Sequence, residues 1–230
     1  MRRARSRDPF GVGRLSATLA ITGSDLCGDA AFSAALCADG ELSVAAVPSG
    51  QRGDLATLCR DLCASRDVDP SGIDKVIVDV GPGSYTGLRV AVTFVRLLGQ
   101  FSSLKVEGVC SLAVLARHVL GNAEGSVRTL LDARRGRLHT ALHRHEGGCV
   151  REIEKPRAVA VEDVLADIRG DHVVAAPPAL AAQLQSQHGV SCLTATGWTA
   201  AALLVEGLPR FSADATALEP RYLMASYAES

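Results

Sequence analysis

Residues 75–101 read "KVIVDVGPGSYTGLRVAVTFVRLLGQF". The apolar run "KVIVDV" is typical of a buried strand, and Ser84, after the glycine-rich segment, is a preferred residue at a helix N-terminus. The remaining residues have the apolar spacing of a long helix, predicted over 85–101. A strand, a glycine-rich turn and a helix in this order indicate an α/β protein, in which such a turn often holds a phosphate.

The turn itself does not match a phosphate-binding motif. A Walker A loop needs the pattern GxxxxGK followed by Ser or Thr, and the dinucleotide pattern GxGxxG would need a glycine where Thr86 stands. Pro82 also lacks the backbone N–H group that a phosphate cradle uses. The pattern therefore favours a structural turn, although a bare helix N-terminus can hold an anion. The candidate anion-binding loop consists of Gly81, Gly83, Ser84, Tyr85, Thr86 and Gly87.

The helix that follows has apolar residues on two sides. At about 100° per residue its polar side chains form one narrow stripe that begins at Arg89, and more than half of its circumference is apolar. The face expected to enter the core contains Leu88, Ala91, Val92, Val95 and Leu98. An apolar patch of this length on a second side favours contact with another chain over exposure to water. The candidate partner interface consists of Val90, Phe94, Leu97 and Phe101, with Arg89 beside it.

Outward from this stretch, the same order of elements occurs twice. Each half reads βββαβαβα, which predicts two similar α/β lobes. This order of elements resembles the actin-like, or ribonuclease H-like, architecture. The expected divisions are a disordered leader (1–14), an N-terminal lobe (15–122) and a C-terminal lobe with a tail (123–230). The first half is predicted as strands 16–21, 30–38 and 41–47, helix 54–66, strand 75–80, helix 85–101, strand 105–109 and helix 111–120. The second half is predicted as strands 127–131, 137–145 and 149–153, helix 161–169, strand 171–175, helix 178–188, strand 190–194 and helix 198–206.

Composition limits the classes of function. The 230 residues are 47% hydrophobic and carry a formal net charge of -1, so any contact with RNA has to be local or supplied by a partner. No segment approaches the roughly 20 apolar residues that cross a membrane. We therefore expect a cytoplasmic protein with no membrane partner.

The resemblance to actin-like ATPases implies that a nucleotide site would need acidic residues and glycines in the first hairpin of each lobe. The first strand ends in Thr22 where an aspartate is needed, and Asp25 comes three residues later. Asp132 is well placed in the second lobe, but Arg134 and Arg135 occupy the turn beside it. The final glycine-rich loop has one glycine, Gly197. We expect no complete nucleotide site and no cofactor.

Four segments resemble the TsaB family in order and spacing: "VDVGPGSYTGLRVAVTFVRLLG", "VEGVCSLAVLARHV", "LLDARRGRLHTAL" and "LEPRYL". The resemblance implies a catalytically inert subunit that pairs with its metal-binding paralogue TsaD and with the ATPase TsaE. Together these make threonylcarbamoyladenosine in tRNA, which the subunit meets through the complex. It also implies self-association through the same helical face, hence a homodimer as an alternative. The chain departs from the family at 22–24, where Asp-Thr-Ser is usual, and at 49–54.

Three alternative functions stay open at this point; one is a scaffold with no link to RNA modification, against which only the family resemblance weighs. A metal-dependent enzyme of the same superfamily, a glycoprotease-like protein or a threonylcarbamoyltransferase, would need paired histidines, and "HTALHRH" contains His139, His143 and His145. The segment alternates like a strand, in which residues four apart are roughly 13 Å from one another, so His139 and His143 are not expected to share a metal ion. We predict no metal site. A small kinase-like ATPase is the third alternative, and the missing carboxylate at Thr22 weighs against it.

Overall fold

The computed structural model describes residues 17–24, 26, 30–51, 53–168, 173–196 and 198–223. The expected leader at 1–14, together with Asp25 and Gly197, lies outside these residues. The described chain forms two mixed sheets with helices against them, which confirms the two-lobed α/β fold. No helix among the described residues is both long enough and apolar enough to cross a membrane.

The first sheet has six strands in the order β11-β5-β4-β1-β2-β3. β1, β4 and β5 run parallel, whereas β1, β2 and β3 form an antiparallel meander. Its strands are β1 (Ala17–Thr22), β2 (Ala30–Ala38), β3 (Glu41–Pro48), β4 (Ile73–Asp79), β5 (Lys105–Val109) and β11 (Phe211–Ala213). The helices of this half are α1 (Leu55–Ala64), α2 (Tyr85–Gln100) and α3 (Ser111–Leu120). Apolar residues of α1 and α2 pack with those of β1 and β4 in one core cluster.

The second sheet has five strands in the order β10-β9-β6-β7-β8. Its strands are β6 (Gly125–Asp132), β7 (Arg137–Glu146), β8 (Cys149–Ala160), β9 (Val173–Ala176) and β10 (Leu193–Thr194). The helices are α4 (Val161–Asp167) and α5 (Pro178–His188). Residues of both helices pack against β6 and β9 in a second core cluster.

The two lobes interlock through elements that lie between the sheets. α3 follows β5 in the chain, but its apolar residues share one core cluster with Ile77 of the first sheet and with Val127 and Ala141 of the second. A 3₁₀ helix, Ala200–Leu204, follows the second sheet yet contacts β1 and β2 of the first. The N–H of Ala200 donates to the hydroxyl of Ser33 on β2 at 2.7 Å. Each half thus contributes a helix to a shared interior.

The structure corrects the predicted elements at the C-terminal side. The α-helix expected over 198–206 is only the 3₁₀ helix Ala200–Leu204, and β8 continues to Ala160 instead of ending at 153. Strand β11 was not predicted, and it pairs with β5 in the first sheet although 211–213 belong to the expected second lobe. The ring of Phe211 packs on Gly108, where a Cβ atom would lie 2.4 Å from the ring. Local periodicity cannot reveal β11, because its partner is an edge that exists only after the first lobe folds.

Candidate functional site

The glycine-rich loop turns the chain sharply from β4 into α2. Gly81 has a φ of 99°, in the region that favours glycine. Ser84 caps α2: its hydroxyl accepts from the N–H of Gly87 at 3.3 Å, and its carbonyl accepts from the N–H of Leu88. The cap predicted at Ser84 is confirmed.

The chain itself occupies the space in front of this helix N-terminus. The N–H of Ser84 donates to the carbonyl of Ser24 at 3.0 Å. A Cβ atom on Gly87 would lie 2.0 Å from the carbonyl oxygen of Gly23, and one on Gly83 would lie 2.7 Å from Cβ of Ser24. The segment after β1 therefore packs on the loop where a bound phosphate would approach. This arrangement favours a structural turn over an anion-binding loop at these residues.

Asp79, at the end of β4, lies beneath the loop, and none of its surface is exposed. One carboxylate oxygen accepts from the N–H of Gly81 at 2.8 Å and from the hydroxyl of Ser111 at 2.5 Å. The other accepts from the hydroxyl of Thr22 at 3.0 Å, and Thr22 also bonds Ser24 at 2.9 Å. Burial raises the pKa of Asp79, while these hydrogen bonds act in the opposite direction. The network joins β1, the loop and the start of α3.

Sequence reasoning missed Asp79 as a site residue, although an acid inside the apolar run "KVIVDV" was a visible signal. Sequence reasoning looks for the carboxylate of the first lobe at the end of β1, where Thr22 stands and Asp25 follows three residues later, and for that of the second lobe at Asp132. The structure places the Asp79 carboxylate one strand away from Thr22 and in contact with it. Because it is fully buried and its oxygens accept from the protein's own donors, Asp79 holds the loop in position.

The two predicted apolar faces of α2 differ in their surroundings. The first is buried as expected at Leu88, Ala91, Val92 and Val95. On the second, Val90, Leu97 and Phe101 are 41%, 49% and 81% exposed. Phe94 differs from these because it is half-buried and packs against the first core cluster. The structure therefore leaves three of the four apolar interface candidates available to another chain.

The C-terminal tail contacts the same helix. The ring of Tyr222 lies 5.1 Å from that of Tyr85 at the start of α2, and both side chains are about half exposed. Arg89 donates to the Tyr85 hydroxyl at 2.9 Å, and its guanidinium lies over the same ring at 5.2 Å. Arg96 bonds the carbonyl of Thr216 at 3.0 Å, so it ties α2 to the tail. Tyr222 was missed because its neighbour is 137 positions earlier in the chain.

The histidines of the alternative metal site lie on β7, a strand as predicted. His143 and His145 are buried on one face, whereas His139 is partly exposed. Burial lowers the pKa of His143 to about 4, and a ring nitrogen of His145 bonds the carbonyl of Ala123 at 2.8 Å. Within the described ranges, no three His, Cys, Asp or Glu side chains are grouped so that they could hold a metal ion.

A family model described as TsaD, tRNA N6-adenosine threonylcarbamoyltransferase, matches residues 52–196, which is more than half of the chain. The chain belongs to this TsaD family. Within it, the resemblance to TsaB is confirmed by a tRNA threonylcarbamoyladenosine biosynthesis protein TsaB from Bacillus subtilis. That relative is 33% identical over 102 residues, which are 43% of this chain and 43% of the relative.

Mycobacterial relatives match over shorter stretches. An uncharacterised protein of Mycobacterium leprae is 35% identical over 72 residues, 31% of this chain and 19% of the relative. One of Mycobacterium tuberculosis is 35% identical over 69 residues, 30% of this chain and 31% of the relative. The matches thus span less than half the length of each of these curated relatives.

Solved structures support the fold over nearly the whole chain. YeaZ from Pseudomonas aeruginosa superposes with a TM-score of 0.73 at 23% identity, covering 90% of this chain and 100% of that one. A second Pseudomonas aeruginosa structure, of an uncharacterised protein with similarity to peptidase YeaZ, has the same score and identity over 91% of this chain and 100% of that one. At this identity the likeness shows the shared fold alone.

Proposed function

We propose that the chain is a non-catalytic scaffold and activator subunit that binds a TsaD-like catalytic paralogue in the synthesis of tRNA N6-threonylcarbamoyladenosine. The observation that carries the proposal is the exposed apolar surface of α2. We call this surface the docking face and define it by Val90, Leu97 and Phe101, together with the exposed ring pair Tyr85 and Tyr222 at the start of the same helix. Membership of the TsaD family and the named role of the Bacillus TsaB relative support it.

The docking face has the character of a protein-binding surface. Phe101 and the two tyrosines offer large, rigid contact areas, and such aromatic side chains are enriched where proteins bind one another. Leu97 and Val90 add aliphatic contact on the same helix, and Arg89 stands at its polar border, already held by Tyr85. A helix-to-helix contact with a paralogue of the same fold would bury this surface, and so would a second copy of the chain.

The surroundings of the loop support a subunit without its own chemistry. Gly23 and Ser24 fill the space before α2, and Asp79 is held by the protein's own donors.

Within the proposal, a TsaE-like ATPase and tRNA are reached through the complex, and a homodimer is the resting form if no paralogue is present. The same function places the protein in the cytoplasm.

A threonylcarbamoyltransferase is the second candidate, because the matching family model carries that description. It would need a catalytic centre within this chain. Metal analysis of the purified protein decides between the two: stoichiometric zinc or iron that is lost in His143→Ala would favour the enzyme. ATP turnover by the isolated chain, abolished by Asp132→Ala, would favour a kinase-like ATPase instead.

The docking proposal is tested by co-purification with the TsaD-like paralogue of the same organism. Leu97→Glu and Phe101→Asp are expected to reduce capture of the paralogue at least tenfold, because each places a charge in an apolar contact. Phe94→Asp is unsuitable because Phe94 packs against the core. Leu193→Glu is the matched control, since Leu193 on β10 is 47% exposed, nearly the same as Leu97.

The control should capture the paralogue as the parent does, and all three variants should keep the parent's thermal midpoint within about 2 °C, as expected for surface substitutions. Equal capture by the parent and by both docking-face variants would refute the proposal. Light scattering of the same variants without the paralogue shows whether the docking face also joins two copies of the chain.

A further inference from the structure

The turn between β6 and β7 presents two arginines in an unfavourable backbone conformation. Arg134 and Arg135 have φ angles of 65° and 53°, in the left-handed region that glycine and asparagine adopt more readily. The turn is closed by the N–H of Arg137, which donates to the carbonyl of Arg134 at 3.1 Å. The N–H of Arg134 donates to the Asp132 carboxylate at 2.7 Å. We call Arg134 and Arg135 the arginine turn.

Both side chains of the arginine turn extend into solvent. Arg134 is 81% exposed at its side chain, and its nearest acidic atom belongs to Asp132 at 3.8 Å, an exposed pair of little strength. Arg135 is also exposed, and the exposed Arg137 follows. α4 begins beside the turn, where the N–H of Val161 bonds the carbonyl of Gly136, and its first turn carries two acidic residues. The positive charge is therefore confined to the tip of the hairpin.

Left-handed arginines destabilise a turn relative to glycine, and backbone strain of this kind is concentrated at functional sites. The guanidinium group is planar and presents paired donors that match phosphate oxygens. We infer that the arginine turn contacts backbone phosphates of an RNA, which rests on the proposed role in tRNA modification. With a net charge of -1 on the whole chain, the turn supports one or two phosphate contacts and no extended RNA-binding face.

An acidic protein surface would also attract arginines, but the composition of the hairpin tip favours RNA. Protein interfaces are built around buried apolar or aromatic anchors. At this tip the apolar neighbours Ala133 and Leu138 are both buried, and the exposed residues are polar, charged or glycine. Interfaces with nucleic acid are polar and positively charged, as this tip is.

The test measures binding of the full chain to a fluorescently labelled, in vitro transcribed tRNA across a salt series. The double variant Arg134→Gly with Arg135→Gly is expected to raise the Kd roughly fivefold or more at about 0.1 M salt. The slope of log K against log salt should fall by about 1.4–1.8 if both arginines contact phosphates, because each lost phosphate contact removes about 0.7–0.9. Its thermal midpoint should be at or above the parent's, since glycine relieves the left-handed strain.

The matched control is Arg144→Ala with Arg151→Ala, a cross-strand pair of exposed arginines at the other end of the same sheet. It removes the same charge and should leave the Kd within twofold. The inference is overturned if the parent does not bind the tRNA at about 50 mM salt, or if the glycine variant binds as the parent does. It is also overturned if the control weakens binding equally. Poly-glutamate is the probe for an acidic protein surface, and a glycine variant that loses binding to poly-glutamate but keeps its affinity for tRNA would likewise overturn the inference. Capture of the TsaD-like paralogue is measured separately, so a failure here leaves the docking proposal standing.

Discussion

Thr22 stands at the end of β1, where an actin-like first lobe would carry an acid, and Asp79 supplies a carboxylate from the neighbouring strand β4. The carboxylate on β4 reaches the hydroxyl on β1 across one strand spacing, so a negative group is still present beneath the loop. It is buried, and donors from Gly81, Ser111 and Thr22 satisfy it. A carboxylate with three such donors is expensive to remove, because each donor would then be left unpaired in the interior. Its role is to hold the loop and the start of α3 in place.

His143 makes the stability of the fold depend on pH. Burial lowers its pKa from 6.5 to about 4, so the folded state binds its proton only at lower pH than the unfolded state does. The stability that neutral His143 gives to the fold is complete above pH 6.5, and it is lost progressively as the pH falls from 6.5 to about 4. By pH 5 the loss amounts to about 2 kcal/mol from this residue.

His143→Gln is expected to lose less stability than the parent between pH 7 and pH 5, because glutamine does not titrate. Urea unfolding at several pH values measures the difference. Parallel loss of stability in the two proteins over this range would show that His143 does not titrate as described.

At the scale of the element, the first turn of α2 is held by the segment after β1, whereas apolar side chains further along α2 are exposed. Its first turn is held by Ser24 and by the close approach of Gly23 to Gly87. The C-terminal half of α2 is tied to the C-terminal tail by the hydrogen bond that Arg96 donates to the carbonyl of Thr216. A helix fixed at both ends presents Leu97 and Phe101 in one orientation, which reduces the entropy lost when a partner binds.

Gly87→Ala is expected to destabilise the fold by about 2 kcal/mol or more, because the new Cβ atom would lie 2.0 Å from the Gly23 carbonyl and backbone has to move. Gly72→Ala is the matched control, since no atom lies within 4 Å of a Cβ there and its φ is not in the left-handed region. Thermal or urea unfolding compares the two. If both substitutions are tolerated equally, the contact between the segment after β1 and α2 is looser than described.

At the scale of the whole molecule, each sheet has a core cluster of its own, and a third cluster is shared between the two lobes. α3 lies in the core between the sheets, and the tail returns to the first lobe, where Leu218 is buried and the N–H of Arg221 bonds the carbonyl of Val80. The docking face itself includes Tyr222 from that tail. Both the core and the candidate site therefore depend on segments from the two ends of the chain.

The fragment 15–122 is therefore not expected to fold alone. The side of α3 that packs on β6 and β7 would be exposed, and β5 would lose its neighbour β11. Far-UV circular dichroism in urea should show no cooperative transition, and the fragment should bind a hydrophobic dye. Co-expression with 123–230 is the control and should restore a cooperative transition; a sharp transition in the fragment alone would mean that the lobes are independent.

The sequence by itself determined the order of strands and helices up to β10, the cap at Ser84 and the two-sided apolar pattern of α2. These follow from local periodicity and from residue types whose backbone preferences act within a few positions. After β10 the prediction failed, since 198–206 is not an α-helix and β11 was not predicted. Only the tertiary structure decided that Phe94 turns toward the core, that Gly23 and Ser24 close the loop, and that Asp79 sits opposite Thr22. It alone brought β11 to β5 and Tyr222 to Tyr85. The physical reason is that these contacts join residues far apart in the chain, and their partners exist only once the sheets have formed.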